Sequence, residues 1–451
     1  MSEVTGDHVT MFAMSAQACL GGVVLSLLLT LSHGLPATSK KPKVILVSMD
    51  GFRHDYLTKG NTPNFEDMLS AGVTMPYVNN TFVTLTFPSH YSIATGTYEE
   101  THGIVANNMY DPVYNETFGM GTTDPKWWNG SEPIWTTAKK AGLKVGVYFW
   151  PGSSSPFNGL LPDEWRDYND SVEYEHRVRT VVSWMSRDDF DLALLYFDEP
   201  DHSGHALGPD NPQLVPVIER MDCILGLLVS ELTTAGIVDD VNLIVTSDHG
   251  MASVDTKTRL IDVLDYVNDT VFLKMYQQGP AAQMRPQEGK AAELKEALKD
   301  VRHMKVMLKE EIPEEKHYKN HRRVLPVFAL AENGWQITAN ATRRLNWPFK
   351  GDHGFDDDLL TMRPIFVARG PAFKTNETVE PIKNVDIYPL ICHLLGIEPS
   401  PNNGSLERAM TLLRTRGNPK DPGDGSSSLT AATTTIWVLA SLCFVFSFVQ
   451  I

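Results

Sequence analysis

Residues 44–53 read Val-Ile-Leu-Val-Ser-Met-Asp-Gly-Phe-Arg, a short apolar run that ends at Asp50. A continuous run rich in Val, Ile and Leu is typical of a central strand that is covered on both faces. Two further runs follow the same pattern, residues 192–197 before Asp198 and Asp201 and residues 243–247 before Asp248. The three runs predict a buried sheet whose strands end at acidic side chains.

Helical patterns lie between these runs. Residues 212–232 place apolar side chains at helical spacing, and residues 289–301 place Ala and Leu on one face with Lys and Glu on the other. Residues 364–368 indicate one more buried strand. Strands that alternate with helices predict an α/β fold, doubly wound, with a mostly parallel central sheet flanked by helices. Ligands bind such folds outside the carboxyl ends of the strands, which is where Asp50 and Asp248 lie.

The overall charge excludes one class of partner. The chain has 451 residues and a formal net charge of -16, without a dense block of Lys and Arg. A protein that binds a nucleic-acid backbone needs a basic face, so no nucleic-acid binding is expected. A small phosphodiester substrate stays compatible with this charge, because bound metal ions supply local positive charge.

Both ends of the chain resemble targeting segments. Residues 1–34 predict a signal peptide, and a signal anchor is the alternative. Residues 407–428 predict a Pro/Gly/Ser-rich stalk, and residues 429–451 predict a C-terminal hydrophobic anchor signal of the GPI type, with a transmembrane tail as the alternative. A catalytic domain is expected at residues 43–406. The chain is then expected on the extracellular face of the plasma membrane, GPI-anchored or single-pass.

The cysteines and the glycosylation sequons agree with a secreted ectodomain. Cys223 and Cys392 remain once the end segments are removed, and they form either one bridge or two buried free thiols. The eight Asn-x-Ser/Thr sequons begin at Asn79, Asn115, Asn129, Asn169, Asn268, Asn340, Asn376 and Asn403. Sequons spread over the whole region fit a glycoprotein.

Four segments carry side chains that bind metals. They are Asp50-Gly-Phe-Arg, Asp201-His-Ser-Gly-His205, Asp248-His249-Gly and Asp352-His353-Gly-Phe. Carboxylate oxygen and neutral imidazole nitrogen are ligands that Zn²⁺ accepts. One such segment alone is usually a turn or a surface loop, but four in one chain, three of them next to predicted strands, indicate a metal site.

A fifth segment, residues 84–91, reads Thr-Leu-Thr-Phe-Pro-Ser-His-Tyr. A hydroxyl becomes a nucleophile when a metal ion or a base activates it, so this segment is a candidate for covalent catalysis. The spacing alone favours the alternative, a Thr-rich segment that ends at a Pro turn.

In combination these segments resemble the ectonucleotide pyrophosphatase/phosphodiesterase family of the alkaline phosphatase superfamily, over about residues 43–406. The motifs that carry the resemblance are the five segments above together with Thr-Gly-Thr-Tyr-Glu-Glu-Thr-His-Gly-Ile-Val-Ala-Asn at residues 95–107. The short members, which lack the nuclease-like domain, are the most similar. The resemblance implies an alkaline phosphatase-like fold and a two-zinc phosphodiesterase with a threonine nucleophile.

The resemblance also implies roles for individual residues. One zinc ion is expected at Asp201, His205 and His353, and the other at Asp50, Asp248, His249 and Thr86. Thr86 is the implied nucleophile, and Asn107 is the implied donor to a non-bridging phosphate oxygen. His90 is interpreted as structural, because zinc already does the work of a base.

The substrate stays open between two classes. Phe87 and Tyr168 match aromatic residues that hold a base in nucleotide-cleaving relatives, which implies hydrolysis of extracellular nucleotide phosphodiester or pyrophosphate bonds. Trp127 and Trp128 resemble the sphingomyelin-cleaving member, which implies a phospholipase C-type activity on choline lipids. Leu85 stands where many relatives have Lys, which weakens the nucleotide case. A catalytically silent surface binding protein is the third alternative.

Overall fold

The computed structural model describes residues 41–186, 190–346 and 348–415, without the side chains of residues 343 and 344. The predicted signal peptide, the predicted anchor signal and the predicted stalk beyond residue 415 lie outside the described residues. Within the described part of the chain, no helix is both long enough and apolar enough to span a membrane.

Eighteen strands form among the described residues. They are β1 (Lys43–Met49), β2 (Val73–Thr74), β3 (Met109–Asp111), β4 (Glu116–Phe118), β5 (Val145–Tyr148), β6 (Glu164–Arg166), β7 (Leu192–Phe197), β8 (Val241–Thr246), β9 (Ala252–Ser253), β10 (Leu260–Asp262), β11 (Phe272–Gln277), β12 (Ala281–Pro286), β13 (Met304–Leu308), β14 (Val327–Ala331), β15 (Gln336–Thr338), β16 (Gly351–Asp352), β17 (Phe366–Arg369) and β18 (Glu377–Thr378).

Twelve α-helices accompany them in the same described ranges. They are α1 (Pro63–Ser70), α2 (Thr86–Thr95), α3 (Glu99–His102), α4 (Pro125–Trp128), α5 (Ile134–Lys140), α6 (Tyr174–Ser186), α7 (Asp201–Leu207), α8 (Val215–Thr234), α9 (Ala291–Leu298), α10 (Ala341–Asn346), α11 (Ile387–Leu395) and α12 (Leu406–Ala409).

The central sheet has eight strands in the order β18-β2-β17-β8-β1-β7-β5-β6. The run from β8 to β6 is parallel throughout, and β17 is antiparallel to both of its neighbours. The prediction of a doubly wound α/β fold with a mostly parallel sheet is therefore confirmed. The strand predicted at residues 364–368 is β17, and it is the antiparallel member.

Strand β1 shows why this sheet is covered on both faces. Its side chains alternate between two hydrophobic clusters, with Val44 and Leu46 in one and Ile45 and Val47 in the other. All four are 0% exposed. Helices α2, α5 and α11 belong to the first cluster, and α1, α6 and α8 belong to the second. Burying each such side chain stabilises the fold by about 1.5–3 kcal/mol, which explains why this run is continuously apolar.

A second, antiparallel sheet has the order β11-β12-β14-β13 and packs with α9 around its own apolar cluster. The helix predicted at residues 289–301 is the shorter α9. The helix predicted at 212–232 is α8, which a 3₁₀ turn at Pro212–Leu214 precedes.

Two details differ from the sequence analysis. The compact unit ends at Leu413, which pairs with Phe373 and is 5% exposed, so the boundary predicted at residue 406 falls inside a folded segment. Cys223 and Cys392 are both free, and Cys223 is exposed rather than buried because it lies on the outer side of α8.

Candidate metal centre

Three neighbouring strands of the central sheet deliver the predicted aspartates to one edge. Asp50 directly follows β1, Asp248 lies two residues after β8, and Asp201 begins α7, four residues after β7. Because β8, β1 and β7 are adjacent and parallel, their carboxyl ends meet. The Gly51 amide donates to Asp248 Oδ1 at 3.1 Å, and the Asp201 amide donates to the Asp50 carbonyl at 3.0 Å. The strand ends are thus hydrogen-bonded to each other.

Gly51 permits this close approach. Its φ is +66°, and a Cβ at this position would lie 2.8 Å from the Cβ of Asp201. Both the left-handed backbone and the contact with Asp201 therefore exclude a larger residue.

The first group of ligands is Asp201, His205 and His353. The Nε2 atom of His205 lies 3.3 Å from Asp201 Oδ2, and that of His353 lies 3.6 Å from Asp201 Oδ1. His205 Nδ1 is 2.8 Å from the Gly351 carbonyl, and His353 Nδ1 is 3.0 Å from the Thr84 carbonyl. A carbonyl only accepts, so each Nδ1 carries the proton and each Nε2 offers a lone pair to the group.

The second group gathers around His249. Its Nε2 atom lies 3.1 Å from Asp248 Oδ2, 3.4 Å from Asp50 Oδ1 and 3.3 Å from Thr86 Oγ1. Its Nδ1 atom donates to the Gly250 carbonyl at 2.8 Å, which leaves Nε2 as the free nitrogen. The four predicted ligands of the second zinc ion therefore converge.

The two groups adjoin each other. The rings of His249 and His353 stack with their centroids 3.5 Å apart, and Asp50, Asp201 and His249 also form a ligand group of their own. All seven predicted ligands thus belong to one double cluster, in which Asp50 and Asp201 lie between the two halves.

Charge and burial make this double cluster fit a cation. Burial, followed by the charges of Asp248 and Asp201, raises the pKa of Asp50 well above its ordinary value. One oxygen on each of these three aspartates is buried without a hydrogen-bond partner among the described residues: Asp50 Oδ1, Asp201 Oδ1 and Asp248 Oδ2. Such atoms are costly unless a cation satisfies them, and mixed carboxylate and imidazole donors suit zinc.

The pKa values of His205 and His353 are shifted in opposite directions. Burial opposes protonation of His205, but the Asp201 carboxylate outweighs it and raises the pKa of His205 to about 9. Burial, followed by the neighbouring His249, lowers the pKa of His353 to about 4. The two pKa values differ because His205 lies beside the Asp201 carboxylate, whereas His353 lies beside a second imidazole.

Thr86 is the first residue of α2, after Leu85 in extended backbone conformation. Its side chain is 9% exposed and its hydroxyl faces His249. The amides of a first helical turn have no partner within the helix, and the helix dipole places partial positive charge there. The position therefore favours negative charge on the hydroxyl oxygen or on a phosphate next to it.

Asn107 lies beside this helix start. Its Oδ1 atom accepts a hydrogen bond from the Phe87 amide at 2.9 Å. The contact fixes the side chain next to Thr86 and leaves its NH₂ group without a protein acceptor in the described ranges. The predicted donor to a phosphate oxygen is thus placed next to the predicted nucleophile.

One residue of the centre was missed in the sequence analysis. Tyr196 donates its hydroxyl to Asp50 Oδ2 at 2.6 Å, and a hydroxyl group in an otherwise apolar strand was the available signal. His90, interpreted as structural, donates from Nδ1 to the Thr86 carbonyl at 2.8 Å, and the same atom lies 3.2 Å from Asp248 Oδ2, while Nε2 lies 2.8 Å from Ser48 Oγ. Asp50, His90 and Asp248 form a third ligand group.

The predicted aromatic slot is not closed. The Phe87 ring packs against Phe118 at 6.1 Å and Trp128 at 5.9 Å. Tyr168 is 55% exposed and contacts Tyr196, the partner of Asp50, at 6.1 Å. No ring contact joins Phe87 to Tyr168 in the part of the chain that the structure describes. Both rings adjoin the centre from separate packing groups.

Trp127 and Trp128 do not offer a surface to a ligand. They are 1% and 3% exposed, and Trp128 donates its indole N–H to the Thr122 carbonyl at 2.9 Å. Their function in this chain is packing beneath Phe87 and Phe118.

Comparisons with known proteins show the family of this chain. The family described as "Type I phosphodiesterase / nucleotide pyrophosphatase" matches residues 44–356. Human ectonucleotide pyrophosphatase/phosphodiesterase family member 5 is 41% identical over 85% of this chain and 81% of its own length. Bis(5'-adenosyl)-triphosphatase enpp4 of Xenopus laevis is 41% identical over 84% of this chain and 83% of its own length.

A solved structure is similar over the same range. Murine ectonucleotide pyrophosphatase/phosphodiesterase 5, as an inactive threonine-to-alanine variant in complex with AMP, matches with a TM-score of 0.80 and 41% identity. The match covers 83% of this chain and 100% of that one. The chain therefore belongs to the type I phosphodiesterase / nucleotide pyrophosphatase family.

Proposed function

We propose that this chain hydrolyses extracellular nucleotide phosphodiester or pyrophosphate bonds, with Thr86 as nucleophile and two zinc ions as cofactors. The observation that carries the proposal is the double cluster itself. Three buried carboxylate oxygens without partners, three imidazoles with free Nε2 atoms and one hydroxyl point into the same space. A silent binding protein would have no use for this arrangement.

The proposal divides the ligands between the two ions as the family resemblance implies. Asp201, His205 and His353 would hold one ion, and Asp50, Asp248, His249 and Thr86 would hold the other. Two zinc ions bound there would favour ionisation of the Thr86 hydroxyl and neutralise charge on the phosphate oxygens.

The residues of the chain supply the remaining chemistry. Thr86 Oγ1 forms a bond to phosphorus while the bond from phosphorus to the leaving oxygen breaks, so the nucleotidyl group is held covalently on Thr86. Water then breaks the Thr86–phosphorus bond and restores the hydroxyl. The NH₂ group of Asn107 donates to a non-bridging oxygen, where charge accumulates in the transition state. The start of α2 stabilises the same charge.

Nucleotides are the favoured substrate class for two reasons. Phe87 and Tyr168 both adjoin the centre, and aromatic faces bind nucleobases by stacking. The murine relative binds AMP, and the Xenopus relative is named for cleaving a dinucleotide. The choline-lipid alternative loses one of its motivations, because Trp127 and Trp128 are packed in the core.

A substrate panel with variants of Thr86 tests the proposal. We expect turnover of p-nitrophenyl thymidine 5'-phosphate and of bis(5'-adenosyl) triphosphate, and no turnover of sphingomyelin. Thr86→Ala should lower kcat by at least about a thousandfold, as removal of a nucleophile does, while Thr86→Ser should keep part of it. A chelator should abolish activity, and added zinc should restore it. Full activity of Thr86→Ala, or turnover of sphingomyelin alone, would contradict the proposal.

We further propose that the chain is a glycoprotein anchored at the outer face of the plasma membrane. Seven of the eight sequon asparagines are exposed, and Asn79 is half-buried. Deglycosylation should lower the apparent mass of protein from secretory cells, and a phosphatidylinositol-specific phospholipase should release it from the surface. Protein that resists release would indicate the transmembrane alternative.

A further inference from the structure

Two cations lie opposite each other on the edge strand of the second sheet and on its neighbour. Lys274 of β11 is the direct cross-strand partner of Arg285 of β12. Like charges in this position repel each other and weaken the sheet. Neither side chain has a carboxylate partner in the described ranges, although the chain as a whole has a formal net charge of -16. Two uncompensated positive charges in an acidic protein therefore need an explanation.

Both cations lie against a pair of stacked tyrosines. The rings of Tyr110 and Tyr276 stack at 5.0 Å with an interplanar angle of 27°. The Arg285 guanidinium lies 4.4 Å from the Tyr110 centroid, and Lys274 Nζ lies 4.6 Å from the Tyr276 centroid. Each charge therefore lies against one ring of the stack. We call these four residues the cation platform.

The cation platform lies close to the metal centre along the chain. Tyr110 is three residues after Asn107, which accepts a hydrogen bond from the Phe87 amide in the first turn of α2, and three residues of chain span at most about 10 Å. The Asn108 amide donates to Gln277 Oε1 at 3.1 Å, which joins this segment to the end of β11. A substrate that reacts at Thr86 and extends past Asn107 would reach the platform.

Among the described residues, the metal centre supplies no Lys or Arg side chain for the leaving group of a pyrophosphate substrate. Leu85, next to the nucleophile, is 4% exposed and brings no charge. When a pyrophosphate bond is cleaved, the leaving group is itself a phosphate anion, beyond the phosphorus that Thr86 attacks. We propose that Lys274 and Arg285, held by Tyr110 and Tyr276, bind the oligophosphate leaving group of the substrate. This proposal rests on the proposed function and names the side of the substrate that the platform recognises.

The test compares substrates that differ in their leaving group. Cleavage of bis(5'-adenosyl) triphosphate releases ADP, whereas cleavage of p-nitrophenyl thymidine 5'-phosphate releases p-nitrophenolate, which carries no phosphate. In the double variant Lys274→Gln/Arg285→Gln, the ratio of kcat/KM for the first substrate to that for the second should fall about tenfold, mainly through KM. Lys305→Gln, an exposed lysine on β13 of the same sheet, is the matched control and should leave this ratio unchanged.

Stability separates this role from a structural one. Because the double variant relieves a like-charge pair, its melting temperature should equal or exceed that of the wild type. A structural role for the cations would lower the melting temperature and reduce turnover of both substrates equally, and that result would overturn the proposal.

A binding measurement keeps the platform distinct from the proposed function. Inorganic pyrophosphate should bind the double variant about tenfold more weakly than the wild type in calorimetry, with the lysine control unchanged. If the wild type cleaves neither substrate, the proposed function fails, while the comparison of pyrophosphate affinities still tests the cation platform. Equal pyrophosphate affinity in all three proteins would overturn the platform alone.

Discussion

The metal centre and the substrate face differ in how the fold positions them. The metal centre comprises the seven predicted ligands, whose side chains other than Thr86 are 0–20% exposed and most of which follow adjacent parallel strands. The proposed substrate face comprises Phe87 on a helix start, Tyr168 on a loop and the cation platform on strands β3, β11 and β12. Adjacent parallel strands position the metal centre, whereas a helix start, a loop and strands outside the central sheet position the proposed substrate face.

Because of this difference, we expect one set of residues to determine the rate of turnover and another set to determine which substrate is preferred. Moving one ligand of the metal centre requires a strand of the core to move, and close-packed cores resist such shifts. A residue of the substrate face can change without disturbing the central sheet. Substitutions in the metal centre should therefore reduce turnover of every substrate, and substitutions in the substrate face should change the ranking of substrates.

The largest effect among the supporting residues is expected for Tyr196→Phe. It removes the hydrogen bond to Asp50, and loss of a partner of a metal ligand typically costs about 10–100-fold in metal affinity or activity. Turnover of bis(5'-adenosyl) triphosphate and of p-nitrophenyl thymidine 5'-phosphate should fall together, and added zinc should restore part of it. Tyr148→Phe, at a buried tyrosine on the neighbouring strand β5, is the control. Equal activity in the two variants would remove Tyr196 from the metal centre.

Smaller effects are expected for the two aromatic residues. Phe87→Leu and Tyr168→Leu should each raise KM for nucleotides about tenfold, since one stacking contact is worth roughly 1–3 kcal/mol. Only Phe87→Leu should also lower the melting temperature, because Phe87 packs against Phe118 and Trp128 while Tyr168 is 55% exposed. Tyr266→Leu, at a tyrosine that is 52% exposed, should change neither quantity. Unchanged KM in Tyr168→Leu would exclude this residue from the substrate face.

The smallest effect on turnover is expected for Asp111→Asn, which acts on stability. Asp111 is 0% exposed, Arg322 and Arg323 both lie 2.8 Å from its Oδ2, and Arg323 also donates to the Trp127 carbonyl. Neutralising it leaves two guanidinium groups without their partner, which should lower the free energy of unfolding by about 3 kcal/mol in a urea titration. Glu116→Gln, in a surface pair with Lys126, should cost less than about 1 kcal/mol.

The same carboxylate predicts the direction of a pH effect. Burial opposes its charged form, but the hydrogen bonds from Arg322 and Arg323 outweigh burial and lower the pKa of Asp111. A folded-state pKa below the unfolded value of about 3.9 stabilises the fold above that pH, and this stabilisation is lost as the pH falls below about 4. Wild type and Asp111→Asn should therefore converge in stability under acid. A difference that persists at low pH would contradict this assignment.

The sequence predicted the parts of the molecule that local pattern determines. The apolar runs before Asp50 and Asp248 placed two ligands at the edge of a parallel sheet, because the side-chain alternation of a strand covered on both faces leaves a continuous apolar run. The helical spacing at residues 212–232 identified α8 in the same way. The family resemblance supplied the pairing of ligands that spacing alone left open.

Contacts between distant segments were beyond such patterns. The hydrogen bond from Tyr196 to Asp50 spans 146 positions, and no local signal states which face of β7 meets which ligand. Trp127 and Trp128 resemble the sphingomyelin-cleaving member in sequence, but burial of an aromatic pair depends on what covers it. The exposure of Cys223 was missed for a similar reason, because the apolar pattern of α8 does not show where the outer side of the helix begins.

Anomalous X-ray scattering at the zinc absorption edge, on crystals of the active protein, tests the central claim most directly. We predict two peaks, one among Asp201, His205 and His353 and the other among Asp50, Asp248 and His249 beside Thr86. An active crystal without zinc at either position would contradict the account.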